Sequence, residues 1–470
     1  MIRASEALPN VIFILGDDIG YGDFGCYGAT KIKTPNVDAL AREGLRFTDA
    51  HSSAATCTPT RYALMTGQYA FRNPMGSHIL PGDAPLSIKP VTLTLPGVFK
   101  KAGYATGIVG KWHLGLGDAE GQQNWNGEIK PGPLEVGFDF SFIIPATGDR
   151  VPCVFVEGHR VINLDPADPI KVDYKNCLPG HANMVQGIGR IGAMTGGKQA
   201  LWKDDEIAST LTGEAVKFIR ENQKRPFFLY LATHDIHVPR MPAKKFRGAS
   251  QAGIRGDAVE QFDGCVGEIL KTLNDLKLAQ NTLVMVGSDN GGILDFGDTV
   301  ERDGDEKSNN GHAFNGVLRG TKGTPYEGGT RVPFIAKWLG KIKPGTSDEL
   351  ICSIDLLATC ATLVGQELPP EAAPDSFNMF PVLRGKKLAK PVRDHLVEDS
   401  RRKAIRQGFW KYISPGKGKG AKSENSQAEL YNLEKDISEK HNLANSEPGK
   451  TKELAALLER VMQESRTRLE

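Results

Sequence analysis

Short apolar runs recur along the chain, and each ends on polar residues or glycine. Val11 to Leu15 leads into Gly16-Asp17-Asp18, Ala105 to Val109 into Gly110-Lys111-Trp112-His113, Phe227 to Leu231 into Ala232-Thr233-His234, and Thr282 to Val286 into Gly287-Ser288-Asp289-Asn290. Runs that are nearly continuous, with no polar residue at every second place, predict strands buried on both faces, as in a mainly parallel sheet. Helical patterns lie between them at 36–44, 59–66, 92–102, 205–222 and 257–278, the last with Val259, Phe262, Val266, Ile269 and Leu270 at helical spacing. Strands alternating with helices predict an α/β architecture. In such a sheet ligands sit beyond the carboxyl ends of the strands, so the four polar ends are expected to converge on one crevice.

Residues 118–203 are rich in Gly and Pro and weakly periodic, which reads as long loops with short strands near Val154 to Val161. From residue 381 the pattern changes. His395 to Ser400, Lys403 to Gln407 and Trp410 to Ser414 read as short strands, followed by the run PGKGKGAKSENSQ, an exposed hairpin tip or a contact for a polyanion. A closing helix carries Leu454, Leu457, Leu458, Val461 and Met462 on one face. The expected division is therefore a catalytic domain at 1–380 and a C-terminal α+β subdomain at 381–470.

Composition narrows the class. Lys+Arg 58 against Asp+Glu 56 leaves a formal charge of +2 in 470 residues, so nothing draws the whole molecule to nucleic acid or to an acidic membrane. No run approaches the roughly 18 apolar residues of a membrane span. The opening MIRASEALPNVIFILGDD lacks a signal-peptide pattern and meets its first strand almost at once; this reads as a mature form whose leader has been removed, and a cytoplasmic chain has the same appearance. The seven cysteines show neither CxxC pairs nor finger spacing, which argues against a zinc module and a disulfide scaffold.

Chemistry concentrates at the strand ends. Asp17, Asp18, Asp289 and Asn290 offer hard oxygen ligands suited to Ca2+ or Mg2+; either pair alone reads equally as a turn or helix cap. Cys57-Thr58-Pro59-Thr60-Arg61 opens a helix with proline in its first turn. A residue at that N-terminus meets backbone N–H groups and a partial positive charge, a place for an anion. A lone cysteine there reads otherwise as a buried structural residue.

Cys-x-Pro-x-Arg followed by Thr66-Gly67 resembles the signature of the type I sulfatases, in which the cysteine becomes formylglycine. PNVIFILGDDIGYGDFGCYG, TPNVDALAREGLRFTDAH, GIVGKWHLG, PFFLYLATHDIHVP, SDNGG and LRGTKGTPYEGGTRVPF follow in the family's order, and ELYNLEKDISEKHNLA resembles its C-terminal motif. The resemblance spans nearly the whole chain and is to the arylsulfatase A type. It implies an alkaline-phosphatase-like α/β sandwich, a large mixed sheet between helices, with a small C-terminal antiparallel sheet. It implies Ca2+ held by Asp17, Asp18, Asp289 and Asn290 together with modified Cys57, and Arg61, Lys111, His113, His237 and Lys322 around the nucleophile and sulfate. By the same resemblance His237 protonates the leaving oxygen and His113 takes a proton from residue 57.

Segments 146–170 and 189–206 are similar to bacterial carbohydrate sulfatases, which implies a sulfated galactose or N-acetylgalactosamine of mucin or an algal galactan as substrate. A formylglycine-generating maturase is then a partner, and the periplasm or cell exterior the location. Thr147 matches a sulfate-contacting serine of arylsulfatase A-like enzymes, or is a plain loop threonine. His234 either reaches the site or bonds to backbone at the strand end. Arg150, His159, His181, His312 and Arg331 are candidates for reading the sugar or are structural, while Trp112 and Tyr326 read as packing residues. Two other readings stay open: a phosphomonoester or phosphonate monoester hydrolase of the same superfamily, and a sulfated-glycan-binding protein if Cys57 remains a thiol.

Overall fold

Alternate side chains of each central strand leave in opposite directions, and here both sets are buried. Val11, Phe13, Leu15, Phe228, Tyr230, Leu283 and Met285 face one core, and Ile12, Ile14, Leu229, Leu231, Val284 and Val286 face the other. The first core is closed by the helices Cys57–Thr66, Leu95–Lys101 and Leu356–Leu363, the second by Pro35–Glu43, Ile207–Glu221 and Gly253–Asp275. The computed structural model describes residues 8–175, 183–294, 309–416 and 427–468. Each fully buried Ile, Leu or Phe contributes about 1.5–3 kcal/mol, so a sheet covered on both faces is the stable answer to strands with no polar side.

The central sheet has ten strands, in the order Gly345–Ser347, Leu45–Phe47, Phe334–Lys337, Thr282–Ser288, Asn10–Gly16, Phe227–Ala232, Ala105–Lys111, Phe140–Ile144, Val156–Glu157 and Arg160–Val161. The run from Thr282–Ser288 to Phe140–Ile144 is parallel throughout. Phe334–Lys337 on one side and Val156–Glu157 on the other are antiparallel, which makes the sheet mixed. The four expected core strands form its middle. Phe140–Ile144, within the stretch expected to be mostly loop, is instead a full strand paired with Gly107 to Lys111. Its five residues lie among glycines and prolines that set the local reading, and only the neighbouring strand gives them a partner.

Beyond residue 381, His395–Glu398, Ala404–Gln407, Trp410–Ile413 and Glu429–Asn432 form an antiparallel four-stranded sheet. The closing helix Pro448–Gln463 lays Leu454, Leu457, Leu458 and Val461 against it. That core also takes in Ala63, Tyr69, Cys352 and Ile354, so it is continuous with the back of the Cys57 helix. The expected hairpin tip falls largely at 417–426, outside the described residues. Among the described residues no helix is long and apolar enough to cross a membrane.

Candidate active site

The carboxyl ends of adjacent parallel strands meet as the sheet requires. Asp17 and Asp18 follow Asn10–Gly16, Asp289 and Asn290 follow Thr282–Ser288, Lys111 closes Ala105–Lys111, and His234 and His237 follow Phe227–Ala232. Backbone bonds tie these ends together: Asp17 N–H donates to the Asp235 carbonyl at 2.9 Å and Ile236 N–H returns to Asp17 at 2.8 Å. Ile19 N–H is held by Ser288 Oγ at 3.0 Å. Asp18 and His113 both take left-handed backbone, φ 63° and 53°, a strained choice for residues with a Cβ that turns their side chains back toward the crevice.

The helix Cys57–Thr66 enters this crevice by its N-terminus, and all ten of its residues are buried. Its N-cap residue Thr56 makes no side-chain capping bond, so the first-turn N–H groups are left for another acceptor. Thr58 Oγ1 bonds the His113 carbonyl at 3.2 Å and Gly323 N–H bonds the Ala55 carbonyl at 2.7 Å, which locks the loops carrying His113 and Lys322 to this helix start.

Cations and carboxylates interleave here. Lys111 Nζ lies 2.5 Å from Asp17 Oδ2, Lys322 Nζ 2.8 Å from Asp18, and the Arg61 guanidinium makes two bonds, 2.8 and 3.0 Å, to Asp289 Oδ2. Asn290 Nδ2 donates to Asp18 Oδ1 at 2.7 Å. Burial works against the Asp18 charge, yet Lys322, His237 and Lys111 together hold its pKa well below the ordinary carboxylate range. Asp289 is shifted the other way, by burial and by the neighbouring charge of Asp17. Lys322 is half-buried; desolvation works against its charge, but Asp18 raises its pKa above the ordinary value.

Asp17 Oδ1 and Asn290 Oδ1 are buried and have no hydrogen-bond partner among the described residues. Ligand atoms of Asp17, Asp18 and His237 lie within 4.8 Å of one another. Orphaned oxygens beside clustered carboxylates fit a hard divalent cation. A second acidic group, Asp49, His51 and Glu327, lies equally close together. It is already filled by cations: Arg406 reaches Asp49 at 2.6 Å, Arg331 reaches Glu327 at 2.6 Å, and Lys411 reaches Glu327 at 2.8 Å.

Two imidazoles near the crevice, His237 and His113, have a defined tautomer. His237 Nδ1 is 2.7 Å from the Val238 carbonyl and His113 Nε2 is 2.9 Å from the Leu80 carbonyl. A carbonyl only accepts, so those nitrogens carry the protons and leave His237 Nε2 and His113 Nδ1 with open lone pairs. His237 Nε2 stands 4.0 Å from Asp18 Oδ2. Burial, then the charges of Lys322 and Lys111, push the His237 pKa down to about 3, and burial with Lys111 holds His113 well below its ordinary value.

The chain as a whole is similar to known proteins. The sulfatase family model covers residues 9–366. The chain belongs to the sulfatase family. It is a sulfuric ester hydrolase. The sulfatase is 44% identical to the N-acetylgalactosamine-6-O-sulfatase of Bacteroides thetaiotaomicron, over 96% of this chain and 93% of that one. To human arylsulfatase A it is 34% identical, over 96% of this chain and 87% of the relative. A solved Bacteroides thetaiotaomicron structure from work on glycosaminoglycan metabolism superimposes with a TM-score of 0.91 at 43% identity, covering 98% of this chain and all of that one.

The remaining sugar-reading candidates of the sulfatase fall in different places. Thr147 and Arg150 lie on one turn, joined by a 2.7 Å bond and both bonded to Asp149, a residue the sequence reading passed over. Asp149 feels the charges of His237 and Lys111, so this turn borders the crevice; its only signal in the sequence is its place between two flagged neighbours. His312 is turned to Asp23 at 2.9 Å, His159 to Glu135 at 2.9 Å, and Arg331 to Glu327 and Asp49, so each is engaged by a carboxylate. His181 lies outside the described residues. Trp112 is buried with its indole N–H on the Gly115 carbonyl, and Tyr326 packs beneath Arg319, both as expected of packing residues.

Proposed function

We propose that the sulfatase removes an O-sulfate ester from a galactose or N-acetylgalactosamine residue of a glycan, with Ca2+ and a formylglycine made from Cys57 as its cofactors. The observation that carries this reading is the meeting of Arg61, Lys111, Lys322 and two open imidazole nitrogens at the N-terminus of the Cys57 helix. Identity of 44% to a protein named for the 6-O-sulfate of N-acetylgalactosamine favours that ester. A glycan substrate in turn supports a periplasmic or secreted location, with a formylglycine-generating maturase as partner. Residues 1–380 are proposed as the catalytic unit and 381–470 as its support.

Asp17, Asp18, Asp289 and Asn290 would hold the Ca2+, which supplies positive charge against the sulfate oxygens. Residue 57, in its formylglycine form, supplies a hydroxyl nucleophile that a thiol does not. The chain's own residues do the rest. Lys111 and Arg61 are buried and Lys322 is half-buried against Asp18, so the three cations are held before substrate arrives and oppose the charge that grows on the oxygens as the S–O bond breaks. On this reading His113 Nδ1, which has no hydrogen-bond partner among the described residues, accepts a proton from residue 57. His237 must deliver a proton to the leaving sugar oxygen. Its low proton affinity stems from burial, Lys322 and Lys111. An anionic ester seated between those two lysines opposes both charges, so substrate binding itself raises the affinity of His237 for the proton.

The test pairs a mass measurement with turnover. Protein made with a maturase should show the peptide spanning Cys57 lighter by about 18 Da, the change from thiol to aldehyde at the nucleophile. That material should release sulfate from 6-sulfated N-acetylgalactosamine. Full conversion with turnover of phosphate esters and none of sulfated sugars or aryl sulfates would overturn the reading.

A further inference from the structure

A buried imidazole ordinarily bonds through both nitrogens, because an unsatisfied buried donor or acceptor is destabilising. His234 is 6% exposed, and neither Nδ1 nor Nε2 has a hydrogen-bond partner among the described residues. The expectation that it bonds backbone at the strand end is thereby answered in the negative. Its ring centroid is 6.3 Å from that of His237, on the wall of the crevice.

The position of the ring is determined by its seat. It lies against Gly148, where an added Cβ would come within 2.3 Å of His234 Cε1 and 2.6 Å of Nε2. The Gly148 carbonyl is held at 2.9 Å by buried Arg190, which is anchored at 2.6 Å to Asp204. On either side Thr147, Asp149 and Arg150 are bonded to one another. The wall beside His237 therefore holds a fixed imidazole whose two nitrogens are buried and unpartnered among the described residues, next to a turn whose polar groups are bonded to one another. Burial, together with the neighbouring His237 and Lys111, pushes the His234 pKa down to about 3, so the ring is neutral. A neutral ring offers a donor and an acceptor, the complement of a hydroxyl rather than of a sulfate.

We propose that His234 is a specificity-determining residue that hydrogen-bonds an uncharged hydroxyl of the sugar ring carrying the sulfate. The proposal rests on the sugar-sulfatase reading above and assigns ring recognition to a side chain separate from the cations that meet the sulfate.

Three variants test it on fully converted enzyme: His234→Leu removes both nitrogens, His234→Gln keeps a donor and an acceptor, and Gly148→Ala displaces the ring without altering it. Gly148 does not occupy left-handed backbone, so alanine there acts through the ring it crowds. Kinetics are measured on 6-sulfated N-acetylgalactosamine and on 4-nitrophenyl sulfate, which has no ring hydroxyl. His234→Leu and Gly148→Ala should lower kcat/KM on the sugar about tenfold, the value of one good neutral hydrogen bond, chiefly through KM. Turnover of the aryl ester should stay within about twofold, and His234→Gln should recover part of the loss. Parallel losses on both substrates, or no loss on the sugar, overturn the assignment. If His234→Leu does not fold, Gly148→Ala decides alone. Wild-type enzyme that cleaves the aryl ester and no sulfated sugar overturns the functional reading instead.

Discussion

The buried lysines illustrate what a single residue does here. Lys111 is fully buried and makes its 2.5 Å contact with Asp17 at the end of a central strand, where no solvent screens it. Lysine in such a place is a fixed charge whose value rises as charge develops on a bound ester. Lys111→Met keeps the length and removes the charge. It should lower kcat by about 10²-fold or more, as loss of one preorganised charge-stabilising group does. Steady-state kinetics with circular dichroism check this. A change confined to KM would show that Lys111 only binds. Residue chemistry was the most legible layer of the sequence: Asp17, Asp18, Cys57, Asp289 and Asn290 stood out by type and position, and Arg61 by the family resemblance. His312 and Arg331 have equally suggestive side chains, but Asp23, Glu327 and Asp49 engage them, and those partners lie between four and 289 residues away.

At the scale of elements, the strand ends must approach each other closely to bring those side chains together. Gly110, at φ 110°, lies one residue before Lys111, and a Cβ there would stand 1.8 Å from the Ala232 carbonyl oxygen. Only glycine allows both the backbone and the contact. Gly110→Ala should destabilise the protein by about 3 kcal/mol, strain and overpacking combined. Urea unfolding measures it; a loss under about 1 kcal/mol would mean the two strands separate easily. The buried strands were readable because continuous apolar runs have few other uses. Phe140–Ile144 was not, because five residues among glycines and prolines acquire strand character only from pairing with Gly107 to Lys111.

For the whole molecule, the junction between the large sheet and the C-terminal sheet is a buried polyionic network. His51 lies 2.9 Å from Asp49 and 2.9 Å from Glu398, while Lys411 bridges Glu327 at 2.8 Å and Glu398 at 2.7 Å. Burial lowers the proton affinity of His51, but the bond to Asp49 and the charges of Glu327 and Glu398 outweigh it, so its folded pKa lies above 6.5. Its stabilising contribution is then fully present below 6.5, where the unfolded chain is protonated as well, and is lost as pH rises through the raised folded value. His51→Gln abolishes this titration. The melting-temperature gap between wild type and variant should be wide near about pH 5.5 and shrink toward about pH 9. A gap that does not vary with pH would show that His51 is not charged in the fold.

The strand-and-helix grammar, the buried central strands, the sulfatase signature around Cys57 and the residue types at the strand ends were all legible along the chain alone. These are local properties: apolar runs, turn residues and short motifs carry their meaning within a few neighbours. Which polar groups are unpaired and which are already engaged depends on the folded arrangement. His234 and His312 look alike along the chain. One lies beside His237 with both nitrogens unbonded among the described residues, and the other is closed by Asp23. The reason is physical: hydrogen bonds and ion pairs saturate by proximity in space, and no spacing in the sequence encodes which distant partner arrives.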